Sequence, residues 1–552
     1  MSDFQVAAVF SDHCVLQRNK NIKVFGYSTD SVEVSVCLED CKGRLLRSNK
    51  AFASNGRWEV TLEALEAQND LTMKVESGDN KITFTGIAIG EVWLAGGQSN
   101  MEFELQNCSE GPAELEIKDN PNVRFYYTNK IGWMDEDFYK AEKNTSWQTW
   151  ESEWKKAWSA VGYFFAKKLA SDLGVTVGVI GCNWGGTSAS AWMASSYLEK
   201  DSELKTYLTE YEEAEKGKSV EEQCAEYDAY VKENDIWQAK CAKIYSENPN
   251  TQWNDVIKVL GPCPWPGPKN CKNPYRPCGL YETMLHRIIP YSIKGVIWYQ
   301  GESDDHKPAS YYKLFTNMID NWRADWKDNT LPFVFVQLPE HRYIQDKDYK
   351  NWSLIREAQQ KVAQTVKNAY MVVAADLGQY NDIHPKAKKV LAERMEATAL
   401  YGVYKKGNVE TALAPVFSSS ISKDGKLIMN FDFADQGFIY REDKKELQEM
   451  IEMEKNQGNE IYSDFTGFEI ASCDKVFYNA DFELKGNQII LSSSKVKNPL
   501  YGRYAWYNYG PVTIFTKAGL PLPPFRTDSK DSEVVNEHAK IQQVMTVNRK
   551  YF

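Results

Sequence analysis

Two textures of apolar and polar positions alternate along the chain. Up to about residue 88, short stretches with alternating or β-branched character are punctuated by Gly, Asn and Asp: "NIKVFGYST", "SVEVSVCLED", "RWEVTLEAL", "LTMKVES" and "KITFTGIAIG". A period of two puts one face of each strand in a core and the other in water, so residues 1–88 read as a small antiparallel β-sandwich. From residue 89 the strands become apolar throughout: "EVWLA", "VTVGVIG", "KGVIWYQ", "PFVFVQL" and "YMVVAAD". Between and after them run amphipathic patterns such as "AVGYFFAKKLASDLG", "YYKLFTNMIDNWRADW", "LIREAQQKVAQTVK" and "KAKKVLAERMEATALY". Uniformly apolar strands alternating with helices imply a parallel sheet covered on both faces, with ligands at the carboxyl ends of its strands. This α/β region is expected over residues 89–405. β texture returns over 406–527 in "KLIMNFDF", "GFEIAS", "VFYNADFEL", "QIILSSS" and "PVTIFTKAG", and a polar tail closes the chain at 528–552.

One stretch interrupts the α/β pattern. Residues 196–248 are rich in Glu and Lys and read as an inserted helical hairpin with a solvated face. "GPCPWPGPKNCKNPYRPCG" follows, too rich in Pro and Gly for regular structure. Its Cys263, Cys271 and Cys278 lack the spacing of a zinc site, and a disulfide among them would need an oxidising compartment. The 552 residues carry a net charge of −11, which argues against a nucleic-acid surface. No apolar run reaches the roughly 20 residues of a membrane span. The opening "MSDFQVAAVF" lacks the charged and apolar regions of an export signal. The chain is therefore expected to be secreted or periplasmic with its signal outside this sequence, while a cytoplasmic location stays open.

"EVWLAGGQSNMEF" carries the first candidate chemistry. Gly96 and Gly97 let a strand turn sharply, and Ser99 then stands where a helix would begin, a place for a nucleophile or for an ordinary N-cap. The stretch does not fit G-x-S-x-G, because Met101 takes the last glycine's place. A serine nucleophile needs a base. Of the six histidines, His384 in "DLGQYNDIHPKAKK" follows the fifth strand on the same sheet edge, with Asp382 placed to orient it. Oxyanion donors are offered by Gly185 or Gly186 in "GCNWGGTSASAW", by the Gln300 amide in "GVIWYQGESD", and by the Ser99 backbone N–H. Glu302 with Asp304 or Asp305 also suggests a glycosidase pair, but that leaves Ser99 and His384 unexplained. Glu302 is better read as holding its loop. Gln98, Asn100 and Glu302 flank the nucleophile and are expected at the substrate. Aromatics make up 13% of the chain, and flat rings stack on sugars, so Trp184, Trp192 and Tyr299 are expected against the sugar.

Taken together, "GEVWLAGGQSNME", "GVTVGVIGCNWGGTSASAWM", "LYETMLHRIIPYSIKGVIWYQGESD" and "NDIHPKAK" resemble the sialate O-acetylesterase family within the SGNH/GDSL hydrolase superfamily. "FSDHCVLQR" and "KAGLPLPPFRTD" extend the resemblance to about residues 5–527. It implies a flavodoxin-like three-layer fold flanked by antiparallel β regions, and hydrolysis of sugar O-acetyl esters with no metal or other cofactor. Ser99 then matches the nucleophile, His384 the base, and Gly185 or Gly186 with Gln300 the oxyanion hole. One position departs: the superfamily often places its acid three residues before the histidine, where this chain has Asn381. Asp382 could then face away from the imidazole. The expected activity is removal of acetyl groups from sialic acid, with 9-O-acetyl esters foremost. Acetylated xylan or another glycan, and non-catalytic glycan binding, are the alternatives. An O-acetylated sialic acid or glycan is the expected partner, and an oligomer is left open.

Overall fold

The computed structural model describes residues 4–248, 251, 253–343, 346–459 and 465–528. Eight strands occupy the first part of the chain: β1 (Phe4–Val6), β2 (Val15–Gln17), β3 (Ile22–Ser28), β4 (Glu33–Glu39), β5 (Leu45–Phe52), β6 (Arg57–Leu62), β7 (Gln68–Ser77) and β8 (Asn80–Gly97). β1, β3 and β6 form one antiparallel sheet, and β5–β4–β7–β8 run antiparallel in another. The expected boundary at residue 88 falls inside β8. Its first half pairs with β7, and its second half enters the parallel sheet. The burial pattern explains this: side chains alternate up to Gly86, and from Ile87 to Gly97 all are buried. A strand covered on both faces from that point cannot stay in a half-solvated sheet.

The parallel sheet continues with β9 (Val123–Tyr127), β10 (Val177–Asn183), β11 (Gly295–Tyr299), β12 (Phe333–Gln337) and β13 (Ala369–Val373). Its order is β9–β10–β8–β11–β12–β13, all parallel. The five strands expected from the sequence stand as second–first–third–fourth–fifth, with β9 added at the edge. The chain thus leaves β8 on one side and returns to its other side, which opens a crevice at the β8 carboxyl end. Short α1 (Ser99–Glu102) follows β8; α2 (Ala160–Leu173) precedes β10 and is capped by Ser159, whose Oγ accepts the Gly162 N–H at 3.0 Å.

The insertion is helical, with α3 (Ser202–Glu215) and α4 (Val220–Glu247), and α5 (Trp253–Leu260) follows it. A capping box starts α4, with Ser219 and Glu222 each accepting the other's backbone N–H. Along α4 only Gln223, Trp237 and Cys241 are buried, as expected of a solvated helix. All eleven cysteines are thiols; Cys271 faces Cys224 of α4 rather than Cys263 or Cys278. Later helices are α6 (Tyr311–Asp325), α7 (Asn351–Thr365) and α8 (Lys388–Gly402); α8 packs on α2 and α7 on α6. The C-terminal region holds two four-stranded antiparallel sheets. It docks through Arg526 on Glu357 and through Asn508, whose side-chain oxygen accepts the Trp352 N–H at 3.0 Å. The polar tail from residue 529 lies outside the described residues.

Candidate active site

Both glycines after β8 are required by packing. A Cβ on Gly97, whose φ is +139°, would collide with the Tyr299 carbonyl of β11, and one on Gly96 would sit 2.9 Å from the Trp298 ring. The turn they permit sets half-buried Ser99 on the first residue of α1.

His384 reaches Ser99 from the loop after β13. Its Nε2 lies 2.9 Å from Ser99 Oγ, although 285 positions separate them in sequence. Burial lowers the pKa of His384, which favours the neutral imidazole a base must be. The charge of Asp382 opposes this shift and that of Lys388 adds to it. Among the described residues Asp382 makes no hydrogen bond to the ring. Its Oδ1 instead accepts the His384 backbone N–H at 2.9 Å, the turn an aspartate makes with the residue two ahead, and Asn381 before it takes a φ of +54°. Among the described residues no side chain bonds His384 Nδ1.

The donors differ from expectation too. Gly185 is beside Ser99: a Cβ there would be 3.2 Å from Ser99 Cβ. It already donates to Glu102 Oε2 at 2.6 Å, and Glu102 Oε1 holds Lys130 at 2.5 Å. Gly186, at φ +76°, makes no hydrogen bond through its N–H among the described residues. The Gln300 amide is not presented to Ser99. Its Nε2 donates to Thr187 O at 3.1 Å and to Asp304 Oδ2 at 2.6 Å, and its Oε1 accepts from Tyr311. Gln300 therefore fixes the turn that bears Gly185 and Gly186. Asp304 completes that tie, accepting also from Ser188 Oγ, Ala189 N–H and Tyr207 OH of α3. So saturated and buried a carboxylate is no glycosidase partner for Glu302.

Three residues expected at the substrate serve as frame. Gln98 Oε1 accepts the Ser303 N–H at 3.1 Å. Buried Asn100 donates to Glu302 Oε1 at 2.7 Å and to Ile383 O at 2.9 Å, and accepts from Lys388 Nζ at 2.5 Å. It thereby joins the nucleophile's helix, the β11 loop and the histidine loop. Burial raises Glu302 to about 7 and lowers Lys388 to about 7. Trp192 and Tyr299 are wholly buried in the core and unable to meet a sugar, whereas Trp184 is half-buried beside the glycines.

Residues 89–261 and 265–400, more than half the chain, match the model of a family described as "Carbohydrate esterase, sialic acid-specific acetylesterase". The chain belongs to that family. A sialate O-acetylesterase from Mus musculus is 23% identical over 95% of this chain and 94% of its own length. One from Homo sapiens is 22% identical over 80% and 79%. A solved carbohydrate acetylesterase from Xanthomonas citri superposes with a TM-score of 0.70 at 25% identity, covering 95% of this chain and 99% of that one. This chain is accordingly a carbohydrate esterase of mixed α/β fold with a mostly parallel central sheet, and its family is specific for sialic acid acetyl esters.

In this esterase, Glu102, Asp304 and Lys388 were not singled out for the roles they take. Glu102 lies three residues after Ser99 on α1, so helical spacing pointed to it, whereas Lys388 opens α8 after the irregular loop that bears His384 and had no such signal. Trp265 and Tyr275, from the irregular loop, lie against Gly186 with no sequence signal at all: a Cβ there would meet their rings at 2.9 and 3.2 Å. Among the described residues no group of three or more His, Cys, Asp or Glu side chains could hold a metal ion, and no helix is long and apolar enough to cross a membrane.

Proposed function

We propose that this esterase hydrolyses O-acetyl esters of sialic acid, the 9-O-acetyl ester foremost, through an acetyl-enzyme on Ser99. The 2.9 Å contact between Ser99 Oγ and His384 Nε2 carries the reading. Ser99 Oγ attacks the acetyl carbon while His384 Nε2 takes its proton. The oxyanion is held by backbone N–H groups at Ser99 and the Gly185–Gly186 turn, once Glu102 yields Gly185 to it. His384 then protonates the departing sugar alkoxide, and water activated by the same imidazole releases acetate. Residues 89–405 are read as a flavodoxin-like three-layer hydrolase unit, supported by the strand order and by a nucleophile at the crevice beyond β8.

Acetate release from 9-O-acetyl sialic acid and from acetylated xylan tests this, with Ser99→Ala alongside. The expected result is a clear preference for the sialate ester and a loss of at least about 10⁴-fold in the variant. A variant as fast as the parent would refute the acyl-enzyme on Ser99, and a parent that releases acetate from neither ester would revive glycan binding without catalysis. A preference for xylan would favour the reading as an acetylesterase for xylan or another acetylated glycan.

A further inference from the structure

We infer that Trp265 is the surface on which the sugar ring of the substrate stacks, and that the helical insertion exists to hold it there. The inference rests on the proposed hydrolysis of a sugar acetyl ester.

An acetyl group is small, so most of what distinguishes one ester from another lies in the sugar. Of the aromatics expected to read it, Trp192 and Tyr299 have no exposed surface. Trp265 has 44% of its surface exposed. Its ring touches Gly186, and Gly185, the next residue, touches Ser99. An indole ring with nearly half its surface left to water this close to the nucleophile suits the apolar face of a pyranose.

The ring is held in place. Tyr275 meets it edge to face, with centroids 5.5 Å apart at 80°. Asn273 Nδ2 donates to the carbonyls of Pro266 and Pro268 at 3.1 and 2.7 Å. Asn270 Nδ2 donates to Gln223 O at 3.0 Å, and Gln223 Oε1 accepts the Cys271 N–H at 2.9 Å, fastening the loop to α4. Gly267 presses on the Tyr230 ring of the same helix. A platform fixed before binding loses little freedom when the sugar arrives.

The test compares Trp265→Ala and Trp265→Phe with the parent on 9-O-acetyl sialic acid and on ethyl acetate, which has no sugar. Trp265→Ala is expected to lower kcat/KM for the sugar ester about tenfold more than for ethyl acetate, chiefly through KM. Trp265→Phe, which keeps a ring, should recover part of that loss. Equal losses on both esters, or no loss on the sugar ester, overturn the inference. If the parent prefers acetylated xylan, the sialate reading fails, and the same ratio is then read with the xylan ester against ethyl acetate. A parent that cleaves no sugar ester overturns both proposals. Should Trp265→Ala not fold, free sialic acid titrated into parent and Trp265→Phe decides: a tryptophan emission change lost in the variant supports stacking, and the same change in both refutes it.

Discussion

The site is walled by two regions built on different principles. One is the carboxyl edge of the parallel sheet, where β8, β10 and β11 end. There Gln98, Asn100, Gln300, Glu302, Asp304 and Lys388 are all buried and nearly all hydrogen-bonded to one another or to turn backbone. The other is the insertion, whose long helix α4 is mostly solvated and shares a small cluster of Trp237, Cys241 and Val256 with its neighbour. Buried polar groups fix geometry because each loses its partner at a high cost, whereas exposed charges tolerate exchange. The sheet edge is therefore suited to hold a nucleophile and base at a fixed distance, and the insertion is suited to vary what they act upon.

The contrast can be broken in a graded series. The largest effect is expected for His384→Ala, which removes the base: kcat should fall by at least about 10³-fold with the melting temperature little changed, as read by acetate release and thermal unfolding. Next comes Asn100→Ala. It strips buried Lys388 and Glu302 of their shared partner, and should cost about 3 kcal/mol of stability by urea unfolding. If that variant unfolds like the parent, the sheet edge is not a rigid wall.

Two smaller changes sharpen the electrostatic side. Activity needs neutral His384, and burial holds its pKa below the ordinary value of about 6.5, so kcat/KM should fall on acidification only below that range. Asp382 raises this pKa and Lys388 lowers it. Asp382→Asn should then move the acid limb of the pH profile to lower pH with most activity kept, and Lys388→Met should move it to higher pH. Two shifts in the same direction would contradict the arrangement. The smallest effect belongs to the insertion's solvated face. Lys243, 74% exposed and loosely paired with Glu247 at 3.8 Å, should be replaceable by Ala with no measurable change in unfolding midpoint or turnover.

Much of the sheet was legible in the sequence because strands buried on both faces must be apolar throughout, and five of them are. β9 escaped notice as an edge strand with a polar position, Arg124, inside it. The junction expected at residue 88 falls within one continuous strand, β8, because the texture changes there while the backbone runs on. Ser99 and His384 were legible because few residue types can perform their chemistry and both follow strand ends. Asp382 was plausible by type alone. Whether its carboxylate met the ring or the backbone depended on the turn at Asn381.

By itself, the sequence determined which strands are covered on both faces, where the chain must turn on glycine, and which hydroxyl and imidazole follow those strands. These follow from local periodicity and from steric limits on single residues. Only the tertiary structure decided that Gln300 holds a turn, that Glu102 occupies the Gly185 amide, and that a tryptophan 79 positions after Gly186 packs against that glycine. Those outcomes depend on which buried polar group finds which partner, and that is settled by packing between segments far apart in the chain.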